Sequence, residues 1–523
     1  MSFLRSVTTI GGFTALSRIL GFARDILIAS LLGASPLADA FFAAFKLPNF
    51  FRRLFAEGAL NAAFVPLYAR LYASEGVKSA QRTAEEIFAV LLVILVTLVV
   101  IFEIFMPALM DVITPGFKDT PDRMMATITF ARITFPYILF ISLAALIGGI
   151  LNSHHRFSAT SAAPIVLNVT MIVGLLLSPY CFQSPGHALA YSALLAGLLQ
   201  FLWIYGAAHR MGSTIILRKP TLTPNVRRLM SAMGPGILAG GVIQINLLSD
   251  VILASFLPTG AISYLYYADR LNQLPLSIIG IALSTALLPL LSKQLQQDQL
   301  DEAQTTQNRV LEAAFLLTLP AAVALMVFAT PIITVLFRRN AFGDIEVIQT
   351  AWALRAFSIG LPAYVMSKIF STSFFARHNT RTPAKSSIVV LILNIGFTLL
   401  LMIPFKHVGI ALATSITAWI NAGILGCLLY KRKLFIVDDR LKHHLIRLVF
   451  SAVIMGIFLF LIQMVWPYYW PLIWQGIILL FFIAVASAVY FLINIYTGAL
   501  NYQEIKLWLL RARNVRQTKK KSL

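Results

Sequence analysis

Long apolar runs dominate this sequence, and short polar segments separate them. Most runs contain about 20 residues, which is the length that an α-helix needs to cross the hydrocarbon core of a bilayer. Transmembrane β-strands would instead give shorter segments in which apolar and polar residues alternate. The pattern predicts an all-α polytopic membrane protein with about 14 transmembrane helices. The predicted helices are 8–33, 37–70 (kinked), 84–107, 124–151, 160–180, 186–208, 226–256, 262–292, 306–330, 349–376, 384–404, 407–430, 444–465 and 471–496.

The segments between these helices alternate in charge. One set is rich in Lys and Arg, whereas the other set is nearly free of positive charge. Since cytoplasmic loops carry an excess of Lys and Arg, we assign the basic set to the cytoplasm. Both termini are then cytoplasmic, which requires an even number of helices. The basic segments are 70–82, 154–156, 210–228, 377–385, 431–433 and 511–521; the others are 33–37, 180–186, 257–261 and 466–471.

Composition supports a multi-pass membrane protein. Of the 523 residues, 59% are hydrophobic and 12% are charged, and the mean hydropathy is +0.81. A soluble protein carries roughly 25% charged residues. Basic loops account for the net charge of +21, so we predict no nucleic-acid partner. Cys181 and Cys427 give no metal or disulfide spacing, and Arg18 and Arg24 interrupt the first apolar run, which excludes a cleavable signal peptide.

An internal repeat relates the two halves of the chain. The segment DILIASLL at 25–32 recurs as DVILASFL at 250–257, an offset of 225, and Asn168 matches Asn394 at an offset of 226. Because the six-helix unit is even-numbered, both copies cross the membrane in the same direction, as in transporters built from parallel halves. The last two helices lie outside the repeat and are either a lipid-facing addition or a surface for an apolar ligand. The predicted domains are an N-lobe at 1–221, a C-lobe at 222–433, a helix pair at 434–500 and a basic cytoplasmic tail at 501–523.

Several arginines lie inside predicted spans. A charge at the bilayer centre costs about 2.5–3.5 kcal/mol on insertion scales, so such residues must face partners or a water-filled cavity. Helices 1, 2 and 8 come from both lobes, so their cations can converge between the lobes. Guanidinium groups bind phosphate in a bidentate manner, which favours a substrate with a diphosphate. The candidate substrate-binding residues are Arg18, Arg24, Asp25, Asp39, Asn49, Arg52 and Arg270.

Other interpretations of these charges are open. We expect Asp39 to pair with a nearby arginine or a helix end, and proton coupling is the alternative. Arg53 and Glu57 lie at i and i+4 and favour an ion pair with each other. Pro48 and Asn49 predict a bend in the second helix.

A second polar group lies in helices 7, 11 and 12. It combines a carboxylate, an amide and hydroxyls, which are hard oxygen ligands. This chemistry suits coupling to Na⁺ or H⁺, with the membrane potential as a further driving force, although the same residues also suit hydrogen bonds between helices. No firm metal site or other cofactor is predicted. The candidate residues are Asp250, Asn394, Thr398 and Thr414.

Three motifs resemble the MurJ/MviN family of lipid II flippases, within the MOP exporter superfamily. They are SRILGFARD at 17–25, DAFFAAFKLPNFFRRLFAEGALNAAFVP at 39–66 and YYADRLNQLP at 266–275, and the likeness extends over essentially the whole chain. The resemblance implies a bacterial inner-membrane protein that carries the undecaprenyl-diphosphate-linked disaccharide-pentapeptide to the periplasmic leaflet for peptidoglycan synthesis. It also implies cargo contacts at the arginines, a required Asp39, and a sodium site at the second polar group. Family members with that site have Asp where this chain has Thr398, which puts sodium binding in doubt.

The expected mechanism is alternating access of a cationic central cavity, with the last two helices providing an apolar groove for the lipid tail. Expected partners are lipid II, membrane lipids and cell-wall synthesis proteins. No covalent chemistry is predicted, so the protein is not expected to be an enzyme. The alternatives are an exporter of another polyprenyl-linked glycan and a drug antiporter, which would need a carboxylate-dominated cavity. A glycosyltransferase would need acidic residues in a large outer loop, and a structural scaffold would give the buried arginines no use.

Overall fold

The computed structural model describes the backbone of residues 3–500. Within this range the chain is almost entirely helical and contains no β-strand. Nine of its helical segments are long and apolar enough to cross a membrane. The prediction of an all-α polytopic membrane protein is therefore confirmed. The predicted tail at 501–523 lies outside the described residues, as do the side chains of residues 3–8, 55–57 (which include Glu57), 59, 235–236, 238–240 and 242–243.

The nine candidate spans correspond to ten of the fourteen predicted helices, with ends that differ by several residues at most, because the segment Arg381–Lys431 covers two of them. Three of the other four predicted helices coincide with the long helices Phe3–Leu32, Pro224–Ser255 and Asp344–Phe375. The fourth, 37–70, is divided among the segments Pro36–Phe51, Arg52–Leu60 and Asn61–Glu75. The helices are α1 (Phe3–Leu32), α2 (Pro36–Phe51), α3 (Asn61–Glu75), α4 (Val77–Ile113), α5 (Pro121–Thr134), α6 (Tyr137–Ser153), α7 (Ser158–Leu176), α8 (Ser178–Cys181), α9 (Pro185–Arg210), α10 (Pro224–Ser255), α11 (Ala261–Pro275), α12 (Ile281–Gln296), α13 (Leu300–Val327), α14 (Ala329–Phe337), α15 (Asp344–Phe375), α16 (Arg381–Lys431), α17 (Asp439–Met464) and α18 (Leu472–Tyr496).

The chain forms two compact units. Unit 1 contains Met1–Tyr266 and Phe337–Glu346, and unit 2 contains Tyr267–Leu336 and Val347–Leu523. This division follows packing, whereas the predicted lobes follow the sequence repeat. The lobe boundaries at 221 and 433 stay a prediction.

The predicted bend in the second helix stays a prediction, but the helix is irregular at that position. Ser35 caps α2 by accepting a hydrogen bond from the backbone N–H of Ala38 at 3.3 Å, and Pro48 removes one backbone donor near the end of this helix. A π-helical segment, Arg52–Leu60, then connects α2 to α3. The same irregularity recurs in the second half, where Pro275 is followed by the π-helical segment Leu276–Gly280.

The long helix α16 consists of two helices that meet at a sharp kink. Lys406 has non-helical backbone angles, with φ at 51° and ψ at −131°. A Cβ atom at Gly409 would overlap the backbone of Leu401, so the close approach of the chain at this kink requires glycine. The kink lies between the predicted helices 384–404 and 407–430, which confirms their separation.

A connecting segment is fastened along α4 in unit 1. This first strap, residues 211–223, leads from α9 to α10. Gln81 donates a side-chain hydrogen bond to the carbonyl of Thr214 at 2.7 Å, and Arg218 forms an ion pair with the buried carboxylate of Glu85 at 2.5 Å. These two contacts hold the first strap in place against the first turns of α4.

Unit 2 repeats this arrangement. The second strap, residues 432–440, follows α16 and runs along α13. Asn308 donates to the carbonyl of Ile436 at 2.9 Å, and Arg440 pairs with Glu312 at 3.4 Å. Asn308 and Glu312 each follow their counterparts on α4 by 227 residues, in the motifs QRTAEE and NRVLEA. Both the π-helical segments and the straps therefore support the internal repeat.

The ion pair of the first strap should contribute to stability. Replacing Arg218 with Gln leaves the Glu85 carboxylate buried without its charged partner, so we expect the free energy of unfolding to fall by about 1–3 kcal/mol. Unfolding of the purified protein in a detergent titration measures this change. Arg82→Gln is the matched control, because Arg82 is 71% exposed where it pairs with Glu86. An exposed pair contributes about 0–1 kcal/mol, so equal losses in the two variants would contradict the prediction.

Candidate functional site

A fully buried carboxylate, Asp39, joins three helices in unit 1. It lies in the first turn of α2 and forms an ion pair with Arg123 of α5 at 2.5 Å. It also accepts hydrogen bonds from the backbone N–H groups of Gly260 and Ser263 at 2.7 and 2.8 Å, and from the Ser263 hydroxyl at 2.6 Å. Because α11 begins at Ala261, the carboxylate satisfies free N–H groups at the N-terminus of that helix.

This geometry corrects one of the predicted roles of Asp39. The carboxylate is completely enclosed, so in this structure it cannot contact a cargo. The expectation that it pairs with an arginine and a helix end describes its surroundings better. Arg123, which the sequence analysis missed, also lies 3.6 Å from the ring centroid of Phe117. The TPGF motif at 114–117 supplies this ring, but nothing in the sequence connects it to Asp39.

Further contacts surround this network at the same end of unit 1. The backbone N–H of Ala341 donates to the carbonyl of Ser30 at 3.1 Å, and the Asn340 side chain donates to the Ser30 hydroxyl at 2.9 Å. Gly33 turns the chain between α1 and α2 with a φ of +58°, and a Cβ there would overlap Ala341. At the end of α4, the backbone N–H of Gly116 donates to the Ser255 hydroxyl at 3.1 Å. Segments from both halves of the sequence therefore meet at the end of α4 opposite the first strap.

Arg24 is held in a second buried network. Its guanidinium pairs with Asp25 at 2.7 Å and donates to the Asn168 side-chain oxygen of α7 at 2.9 Å. The Tyr266 hydroxyl contacts the same guanidinium at 3.4 Å and donates to Asp25 at 3.0 Å. Asn168 is itself fixed by donating to the carbonyl of Ser17 at 2.9 Å. Arg24 and Asp25 thus form an ion pair that compensates most of the charge, and their contact with a substrate stays a prediction.

The other predicted substrate contacts are more accessible. Arg18 is exposed on α1, and Arg52 is half-buried at the start of the first π-helical segment. Arg52 donates to the Asn49 side-chain oxygen at 3.1 Å, and Asn49 donates to the carbonyl of Phe45 at 2.9 Å. Arg270 is half-buried on α11 in unit 2, and its convergence with the arginines of unit 1 stays a prediction.

Part of the second polar group comes together in unit 2. Asn394 and Thr398 are both buried, and Asn394 donates to the Thr417 hydroxyl at 3.2 Å. The Asn394 side-chain oxygen and the Thr398 hydroxyl have no hydrogen-bond partner among the described residues. Two orphaned oxygens fit the chemistry of a hard cation, whereas the Thr414 hydroxyl donates to its own helix at Ile410. Asp250 lies in unit 1, and the described residues contain no group of three or more His, Cys, Asp or Glu that could hold a metal ion.

Comparison with known proteins identifies the family. The family model described as lipid II flippase MurJ matches residues 28–481. The chain belongs to the MurJ family. A probable lipid II flippase MurJ from Rhizobium tropici is 40% identical over 524 residues, which cover 98% of each chain. The lipid II flippase MurJ of Burkholderia cenocepacia is 34% identical over 460 residues, 87% of this chain and 89% of its own length.

Solved structures agree with membership of the MurJ family. The inward closed conformation of a lipid II flippase MurJ superposes with a TM-score of 0.79 at 27% identity, covering 93% of this chain and 98% of that one. An inward-facing MATE multidrug transporter of the MOP superfamily gives a TM-score of 0.67 at 17% identity, covering 80% and 94%. The second match shows a shared fold alone. Structure and sequence therefore place this all-helical fold among membrane transporters.

The Asp39 network should be sensitive to loss of either charge. Asp39→Asn leaves Arg123 buried without a counter-ion, and such a loss typically destabilises a protein by about 3–5 kcal/mol. We expect a lower melting temperature in detergent for Asp39→Asn and for Arg123→Gln.

The double variant Asp39→Asn/Arg123→Gln tests the pairing, because it removes both charges at once. It should be less destabilised than the two single changes together. Strictly additive losses would show that Asp39 and Arg123 act independently.

Proposed function

We propose that this chain translocates lipid II from the inner to the outer leaflet of the bacterial cytoplasmic membrane. The observation that carries the proposal is the match to the lipid II flippase MurJ family over residues 28–481. As a member of that family the protein is a transporter and not an enzyme. Moving the polar head group through hydrocarbon unaided would forfeit many hydrogen bonds at several kcal/mol each, which is the barrier that a flippase removes.

The arginines suit the diphosphate and carboxylate groups of this cargo. Arg18 and Arg52 are accessible and can offer forked donors to phosphate oxygens. Arg270 follows Tyr266 by one helical turn and so shares its face of α11. Because Arg24 is already paired with Asp25, it orients α1, α7 and α11 in this state and exchanges its partner for an anionic group when the cargo arrives.

The contacts around Asp39 support alternating access. In the proposed orientation the basic loops and both termini are cytoplasmic, so these contacts close the periplasmic end. The Ser30–Asn340 hydrogen bond and the Gly260 and Ser263 contacts of Asp39 must then break when the protein opens outward. The two halves would rock about the cargo, as in other transporters with parallel repeats.

The pair α17 and α18 is proposed to hold the polyprenyl tail. In unit 2, α17 packs against α13 and α18. Beyond Arg447, α17 and α18 contain no Asp, Glu, Lys or Arg, and their outward faces are apolar, which suits a hydrocarbon chain that stays in contact with lipid. Exposed apolar residues on these faces include Ile446, Phe450, Val453, Ile457 and Leu480.

Translocation of an anionic head group also couples to the membrane potential, which contributes about 2.3 kcal/mol per elementary charge per 100 mV. The orphaned oxygens of Asn394 and Thr398 support an additional coupling cation, Na⁺ or H⁺. Cell-wall synthesis proteins are proposed as partners because they produce and consume the cargo.

Acute depletion tests the flippase directly. After depletion in cells, lipid II should become inaccessible to reagents that act only at the outer leaflet, while its total amount is kept or rises. Wild-type protein should restore outer-leaflet access, whereas Arg270→Ala should restore less than a tenth of it, because a charged phosphate contact contributes about 1.5–3 kcal/mol.

Arg381→Ala is the control, since Arg381 is exposed at the start of α16, in the basic segment 377–385, and is not among the proposed cargo contacts. When the Arg381→Ala variant is present in the membrane in the same amount as the wild type, it should fully restore outer-leaflet access to lipid II. Unchanged outer-leaflet access after depletion would refute the flippase proposal. Full complementation by Arg270→Ala would refute the contact between Arg270 and the diphosphate, but not the flippase proposal.

The cation proposal makes a separate prediction. Thr398→Asp adds a carboxylate beside the orphaned Asn394 oxygen, so Na⁺ should raise the melting temperature of this variant more than that of the wild type. Thr398→Val should abolish any Na⁺ response, and K⁺ at equal ionic strength controls for screening. The same response to Na⁺ in all three proteins would exclude this site.

A further inference from the structure

Arg355 on α15 is a half-buried cation that pairs with no acidic residue whose side chain the structure describes. In the described part of the chain it makes one hydrogen bond, to the Thr330 hydroxyl at 3.1 Å. Its guanidinium lies 4.5 Å from the ring centroid of Trp352, and Tyr468 lies close enough to interact with it electrostatically. A guanidinium has five N–H donors, so most of its donor capacity is unused by these contacts.

The first half of the chain contains a similar arginine with a counter-ion. Arg132 of α5 lies close enough to Glu103 of α4 for their charges to interact. Thr330 follows Glu103 by 227 residues, the same offset that relates the strap residues of α4 and α13. The second half therefore has a neutral hydroxyl where the first half has a carboxylate. The positive charge of Arg355 is left for a ligand to compensate.

The surroundings of Arg355 place it near a membrane interface. The loop 465–471 brings Tyr468 to the arginine, and Gln475 fixes this loop by donating to the carbonyls of Tyr468 and Trp470 at 3.1 and 2.7 Å. Trp466 packs edge-on against Phe328, two residues before Thr330. Tyr469, within this loop, and Trp474, just after it in α18, are both exposed. Such aromatic residues concentrate at the level of lipid head groups.

We propose that Arg355, together with Thr330 and Tyr468, binds the phosphate group of a lipid at this interface. The forked guanidinium and the two hydroxyls match the oxygens of a phosphate, and the aromatic rings suit the glycerol or isoprenoid carbons next to it. The site goes beyond the proposed function, because it needs neither the central arginines nor a transport cycle. A phospholipid head group and the diphosphate of a polyprenyl lipid offer the same chemistry.

Lipid binding to the purified full-length protein, measured by native mass spectrometry, tests the site. The probes are undecaprenyl diphosphate and phosphatidylglycerol, with undecaprenol and diacylglycerol as uncharged controls. Arg355→Gln removes the cation, and Thr330→Glu restores the counter-ion of the first half. Both variants should weaken binding of at least one phosphate lipid by about tenfold and leave the uncharged lipids unaffected.

Three control variants separate this effect from misfolding and from other arginines. Arg132→Gln should bind like the wild type, and Arg355→Lys should retain part of the affinity. Thr330→Val should weaken binding less than Thr330→Glu, because it removes one hydroxyl without adding a negative charge. Weakened binding of undecaprenyl diphosphate alone identifies a cargo-type ligand, and weakened binding of phosphatidylglycerol identifies a phospholipid. Wild-type affinity of both Arg355→Gln and Thr330→Glu for both phosphate lipids would overturn the proposal.

Discussion

A carboxylate with no exposed surface sets the arrangement at one end of unit 1. Burying an ionised group is tolerated only when charge and hydrogen bonds replace its water, and Asp39 obtains both from Arg123 and from the start of α11. These partners fix the positions of α2, α5 and α11 at the same time. They also explain why the first turn of α11 packs with the first ten helices, although most of that helix belongs to unit 2.

Duplication has preserved some parts of the protein and allowed others to diverge. The straps retain the same amide-to-carbonyl hydrogen bond and the same Glu–Arg pair in both copies. The polar groups within the spans differ: Ser249 occupies the position that matches Arg24, and Thr330 the position that matches Glu103. Scaffold contacts are therefore conserved between the halves, whereas the intramembrane charges are asymmetric. An asymmetric charge distribution is expected when one anionic cargo passes two similar halves.

The sequence predicts the positions of helices better than it predicts which side chains contact one another. Helix positions follow from apolar length, and the irregular helix after Pro48 is consistent with its missing backbone donor. The partner of Asp39 lies 84 residues away and is selected by the packing of α2 against α5, which no local pattern encodes. Arg24 lies inside a predicted span, and we therefore expected it to face a substrate cavity. In the structure its neighbour Asp25 and the distant Asn168 bind its guanidinium instead. The repeated Gln/Asn-Arg-x-x-Glu motif could have revealed the straps, because its offset matches that of the repeat.

The two π-helical segments give their helices a way to rotate individual residues around the helix axis. Each contains wider turns than an α-helix, and such a turn can move along a helix by exchanging hydrogen bonds one at a time, without unfolding it. Every residue that the wide turn passes rotates by about 100° around the helix axis. Arg52 begins the first of these segments, so a one-residue shift there would re-aim its guanidinium while both ends of the helix stay in place.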